Sequence, residues 1–191
     1  MKVFGAVVLM VCLFPCVGRA DELNLATLTC SKYQNEILNP SGSSPKVDSI
    51  NMVMWLFGFA VAQSGAHVMY GDALPSFGFG LDNECKNNPR ESLLEALPNV
   101  KLNNANPMDL TMLDCATFES RHVASARSDA ESAATIMMWL FGYAVEKSGS
   151  HLFDGASVGD FAAALKAQCA KHPEGSLYDA LSTVKTSKPW K

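Results

Sequence analysis

Apolar positions recur along this chain at spacings of three and four, in two long stretches separated by polar ones. Ile50, Val53, Met54, Phe57 and Val61 fall on one helical face, and Ile136, Met137, Leu140, Phe141 and Ala144 do so in the second stretch. Trp55, Phe59, Trp139 and Tyr143 lie off those stripes. Each stretch is thus apolar around more than half its circumference, which predicts a helix buried on two sides. The second face meets the other stretch or another molecule, unless the helix is simply central to its own bundle. Ser64-Gly65 and Ser148-Gly149 predict a left-handed stop at each helix end.

The two stretches are copies of one pattern. Met54-Trp55-Leu56-Phe57-Gly58-Phe59-Ala60-Val61 returns as Met138-Trp139-Leu140-Phe141-Gly142-Tyr143-Ala144-Val145, at an offset of 84 residues. Cys85, Pro89, Leu93 and Leu97 map onto Cys169, Pro173, Leu177 and Leu181 at the same offset. Upstream the offset becomes 85, and Leu28 and Cys30 map onto Leu113 and Cys115. Short amphipathic helices are expected over 28–36 and 113–121. Ser44 before Pro45, and Ser128 with Glu131, read as caps of the central helices.

A loop with His67 or His151 then leads to a third helix carrying the second cysteine. Gly78 and Gly80 stand where the second copy has Ala162 and Ala164, a difference of about 2 kcal/mol in helix propensity. The first copy is therefore expected to be irregular over 73–81. A last amphipathic helix is expected to begin at Pro89 and at Pro173, and 103–107 reads as a short linker between neighbouring units.

Ahead of the copies, Lys2, an apolar run over 3–14 and Gly18-Arg19-Ala20 read as a secretory signal peptide, too short in its apolar core to span a membrane. The organisation is then a signal peptide (1–20), a first repeat (21–104) and a second (105–191). Cys12 and Cys16 leave with the peptide. The remaining four cysteines admit three pairings, of which duplication favours the one that repeats, Cys30 with Cys85 and Cys115 with Cys169. Each bridge closes a loop of about 55 residues, worth roughly 4 kcal/mol by chain entropy. For units near the size where one core is marginal, that is a large share of stability. With no Cys-x-x-Cys present, the bridges read as structural.

Of the 15 basic side chains, Lys2 and Arg19 belong to the peptide, leaving 13 against 19 acidic ones and a net charge of −6. No basic stripe suits a nucleic acid. In strong acid the same chain, with four histidines charged, reaches +17 before its terminus is counted.

Thr29-Cys30-x-x-Tyr33, Trp55-x-x-Gly58 and Cys85-Lys86-Asn87-Asn88-Pro89-x-x-x-Leu93 resemble the HdeA/HdeB family of periplasmic acid-stress chaperones. The second copy is similar through Asp114-Cys115-x-x-Phe118, Trp139-x-x-Gly142-Tyr143 and Cys169-Ala170-Lys171-His172-Pro173-x-x-x-Leu177. The resemblance covers nearly the whole chain after the peptide, once per repeat. It implies an all-α chain of two tandem small helical-bundle units, each stapled by one disulfide, without catalysis or cofactor. It further implies a holdase that exposes apolar surface at low pH and keeps unfolded or acid-denatured periplasmic proteins from aggregating. Met54, Trp55, Phe57, Met138, Trp139 and Phe141 are chosen as the client-binding or interface surface from their apolarity. Family members are similar in carrying one unit per chain and pairing between chains. Two units in one chain imply an internal pseudo-dimer or a homo-oligomer, with each repeat at an effective concentration near the other on the order of millimolar.

The remaining chemistry is sparse. His67 and His151 occupy equivalent positions, but without an acidic or cysteine cluster they are too few for a metal, and no catalytic or phosphate-binding motif appears. No enzyme, metal, nucleic-acid or membrane role after signal cleavage is expected. The alternative to the holdase is a periplasmic partner-binding protein, such as a toxin immunity protein, active in its folded state at neutral pH.

Overall fold

The structure, a computed structural model, describes residues 22–39, 49–70, 73–101, 107–123 and 130–187. The expected signal peptide, the caps at Ser44 and Ser128 and the linker over 103–106 lie outside the described residues. The chain is mostly helical, as expected, with short strands that the apolar periodicity does not announce. In order they are β1 (Leu23–Asn24), α1 (Cys30–Lys32), α2 (Ser49–Gln63), β2 (Val68–Tyr70), α3 (Leu74–Asn87), α4 (Leu93–Ala96), β3 (Pro107–Asp109), α5 (Cys115–Phe118), α6 (Ala130–Lys147), β4 (Leu152–Phe153), α7 (Ser157–Lys171) and α8 (Leu177–Ser187). Both α1 and α5 run on into π-helical turns, Tyr33–Leu38 and Glu119–Val123.

Helices α2 and α6 form the most extensive contact between any two elements. Nearly every residue of α2 from Met52 to Ala62 is buried, so the helix is covered all round, and its second face meets the other copy. The crossing is set by two equivalent glycines. A Cβ on Gly58 would run into the Trp139 carbonyl and stand 3.1 Å from the Tyr143 nitrogen; one on Gly142 would meet the Trp55 carbonyl and stand 3.1 Å from the Phe59 nitrogen. Only glycine lets the two backbones touch. Gly65 and Gly149 close the helices with φ of 78° and 75°, the left-handed stop read from the sequence.

The disulfides are Cys30–Cys85 and Cys115–Cys169, tying α1 to α3 and α5 to α7. Two expectations are corrected. The first copy is not irregular over 73–81: α3 is continuous from Leu74 to Asn87 with Pro75 in its first turn. Burial of Phe77, Leu81 and Cys85 outweighs the glycine propensity, and Gly80 lies so close to Val100 that an added Cβ would stand 3.0 Å from its Cγ1. Nor does the last helix begin at the prolines. Pro89 and Pro173 lie in turns, and Ser92 and Ser176 cap helices that start four residues later. In the first copy Pro98 turns the rest of that helix into a 3-10 segment, Leu97–Asn99, whereas α8 continues to Ser187.

Both strand pairs cross between the copies. β1 pairs antiparallel with β4, Leu23 opposite Phe153, and β2 with β3, Val68 opposite Asp109. The boundary drawn between 104 and 105 is therefore bridged by both pairs as well as by α2 and α6. No described helix is long and apolar enough to cross a membrane.

We expect Gly58→Ala to destabilise the chain by about 3 kcal/mol, since the helices must separate along their whole contact. Gly159→Ala is the control, because nothing lies within 4 Å of its added Cβ; it should stabilise by about 0.5 kcal/mol. Denaturant unfolding of the oxidised protein reads both.

Candidate functional site

The six apolar residues chosen from the sequence all lie inside. Trp55, Trp139 and Phe141 have no solvent exposure, Phe57 has 1%, and Met54 and Met138 have 8% and 7%. In this folded state they therefore present no surface. Phe57 stacks on Phe77 at 4.7 Å and meets Trp139 edge-on at 6.5 Å, while Phe141 lies 5.3 Å from Phe161. Trp55 reaches into the other copy, edge-on to Phe153 at 5.2 Å. Neither indole N–H, of Trp55 or Trp139, finds an acceptor among the described residues. A buried unpaired donor costs about 1–3 kcal/mol, so the closed core holds these two rings with an unmet polar demand.

A pair of short N-terminal segments, one per copy, adds Leu25, Leu28, Leu110 and Leu113 to the same buried cluster. Leu25 donates its N–H to the His151 carbonyl at 2.9 Å and accepts from Leu94 N–H at 3.1 Å. Leu110 does the same with His67 at 2.8 Å and Tyr178 at 3.1 Å. Further on, Leu28 and Leu113 accept from Leu93 and Leu177 at 2.9 and 2.7 Å. Each segment is thus bonded on one side to the last helix of its own copy and on the other to the histidine loop of the opposite copy. Leu25 and Leu110 are fully buried.

The chemistry around the two seams differs. At β2–β3, the Tyr143 hydroxyl donates to the Ala66 carbonyl at 3.3 Å and lies 2.8 Å from His67 Nδ1. A His67 Nδ1–H donating to the phenol oxygen satisfies all three groups. The His67 ring lies 4.5 Å from Tyr178, and Lys147 Nζ donates to the Ala62 carbonyl at 2.8 Å, capping the end of α2. Burial chiefly, then Tyr178 and Glu146, pushes the Tyr143 phenol far above its usual range, so it stays protonated. At β1–β4 the matching positions are His151, Phe59, Leu94 and Gln63, and the His151 ring meets the Phe59 ring edge-on at 6.1 Å.

The capping groups differ as well. Asn24 Oδ1 accepts from Ala26 N–H at 2.9 Å, and Thr29 Oγ1 from Lys32 N–H at 3.4 Å. Their counterparts are carboxylates. Asp109 accepts from the Thr111 N–H and hydroxyl at 2.8 and 2.7 Å; Asp114 accepts from the same two groups of Thr117 at 2.7 and 2.8 Å. These hydrogen bonds, the Thr111 hydroxyl foremost for Asp109 and the Thr117 N–H for Asp114, hold both carboxyls below their usual range. In the first copy Asp82 is lowered by Lys86 and Gln34, and Glu95 by Ser92, but these bind elements within that copy.

His67 and His151 sit at the two seams as backbone acceptors. Among the described residues no three His, Cys, Asp or Glu side chains gather as metal ligands. An open groove of about 320 Å³ between α7 and α8 is lined by Gln168, His172, Ser176, Asp179 and Thr183. Its His172 and Asp179 are exposed. No family model, curated protein or solved structure matches this chain.

The equivalence of His67 and His151 after the two central helices is the sequence signal that points to the seams. Tyr143→Phe, which gives the second copy the ring of Phe59, should cost about 1 kcal/mol in urea unfolding. A loss below about 0.3 kcal/mol would mean that the His67–Tyr143 contact contributes nothing to the closed state.

Proposed function

We propose that this chain is an acid-activated periplasmic holdase of the HdeA/HdeB kind, holding denaturing clients on apolar surface that is covered at neutral pH. The observation that carries the reading is a wholly buried apolar helix crossing that shares its core with short segments whose turn and adjoining helix cap depend in one copy on carboxylates. The sign of the linkage agrees. A carboxyl whose pKa is lower folded than unfolded contributes stability above its unfolded value, and that contribution is lost as pH falls below about 4. Mutual repulsion among the charges of a strongly cationic chain acts in the same direction. The disulfides keep each copy's helices joined when the cover loosens, and they are compatible with the oxidising compartment that the expected signal peptide implies.

The test is suppression of aggregation of an acid-labile client by the oxidised protein, from about pH 7 to about pH 2, with a hydrophobic dye followed on the protein alone. Protection and dye binding should appear together below about pH 4. A protein that stays compact, dark and inactive in acid removes the reading.

A further inference from the structure

We propose that the segment 107–114 is a built-in plug. In acid it leaves its seat on β2 and α8 while its counterpart 22–29 stays in place, and the seat it vacates takes an extended client segment with apolar side chains at alternate positions. This deepens the holdase reading and rests on it for the client, though the opening of the plug stands without it.

The seat is described by what fills it. Met108 is partly buried, Leu110 fully, and Leu113 to all but 9%. Between them the backbone runs antiparallel to Val68–Tyr70, donates to the His67 carbonyl and accepts from the N–H groups of Tyr178 and Leu177. When the segment leaves, the strand edge of Val68–Tyr70, the His67 carbonyl, the N–H groups of Leu177 and Tyr178 and the sites of Met108, Leu110 and Leu113 face the solvent. The edge of Val68–Tyr70 with the His67 carbonyl beside it matches an extended peptide in the register of Pro107–Leu110, the mode of strand addition in which backbone bonds supply affinity and alternate side chains fill pockets.

The one-sidedness comes from the caps. Asp109 holds the turn at Thr111 inside the second segment and Asp114, its last residue, caps α5; in the first copy Asn24 holds the turn at Ala26 and Thr29 caps α1. A protonated carboxyl accepts more weakly from an N–H; Asn and Thr do not titrate. The charged and titratable groups facing Asp109 are His67, whose charge favours the carboxylate, and beyond it Tyr143 and Tyr178; Glu146 and Lys147 follow on α6. Across from Asp114 lies Ser176, which is hydrogen bonded to Asp179. At the other seam Glu22 precedes β1, Asp154 follows β4 and accepts from Ala156 and Ser157 rather than from the first segment, and Glu95 accepts from Ser92 across from Thr29 as Asp179 does from Ser176 across from Asp114.

Leu25 and Leu110 supply equivalent reporters, since each donates one bond across the two copies. Amide hydrogen exchange of the full oxidised chain, corrected for intrinsic rates, should show Leu110 losing protection relative to Leu25 by on the order of tenfold between about pH 6 and about pH 2.5. Asp109→Asn with Asp114→Thr, which copies the first segment's caps, should abolish the difference. Equal loss at both amides, or a difference that survives the double substitution, overturns the plug. For the client, a photoreactive benzoylphenylalanine replaces Val68, or its counterpart Leu152, in the presence of reduced, carboxymethylated lactalbumin. Crosslinking in acid from Val68 alone supports the seat. Equal yields from both positions, or none from Val68 while the protein still suppresses aggregation, overturn it. A plug that opens in a protein that suppresses nothing leaves the opening intact and sinks the holdase.

Discussion

The close approach of two backbones at Gly58 and Gly142 is the constraint on which the rest depends. With no Cβ at either position, α2 and α6 make the most extensive contact of any two elements, and the rings on either side are drawn across the boundary between the copies. Trp55 then lies on Phe153, and Phe57 against Trp139. Because these large side chains fill the crossing from both directions, neither copy completes its core alone. The strands that close the crossing likewise belong to one copy by sequence and to the other by half of their hydrogen bonds.

Much of this was legible in the sequence. A helix apolar all round has to be covered on two sides, and the duplication of Cys30 and Cys85 as Cys115 and Cys169 singles out one pairing. The strands were not legible by period, because two or three residues are too few to establish one. Propensity misled at Gly78 and Gly80, where burial of Phe77 and Leu81 decides. Pro89 and Pro173 misled for another reason: proline suits a first helical turn, but it suits the preceding turn equally well, and the serine caps decide between the two. The candidate client residues were well chosen for apolarity, yet apolarity alone cannot separate a surface from the interior that it becomes on folding.

The departures from symmetry carry more information than the repeat. Duplication starts both seams with the same backbone scheme, so the scheme cancels when the two are compared. What remains is His67 with Tyr143 and Tyr178 on one side against His151 with Phe59 and Leu94 on the other. The same subtraction leaves Asp109 and Asp114 against Asn24 and Thr29. Each pair shares a backbone role, but only the aspartates ionise and each of them also accepts a threonine hydroxyl, so the first copy serves as the internal comparison for the effect of pH.

Joining the copies also changes what acid can accomplish. Separate partners come apart when their interface weakens, because dilution opposes their return. Joined partners return at an effective concentration on the order of millimolar, so a weakened α2–α6 contact closes again. Any acid-driven exposure in this chain has to come from a part that can move while the crossing holds. The segment 107–114 meets that condition: it is anchored at Cys115 by the second disulfide, and its turn at Asp109 and the helix cap at Asp114 depend on charge. Its release costs the chain few buried groups, whereas separating the helices would expose Trp55, Trp139 and every ring between them.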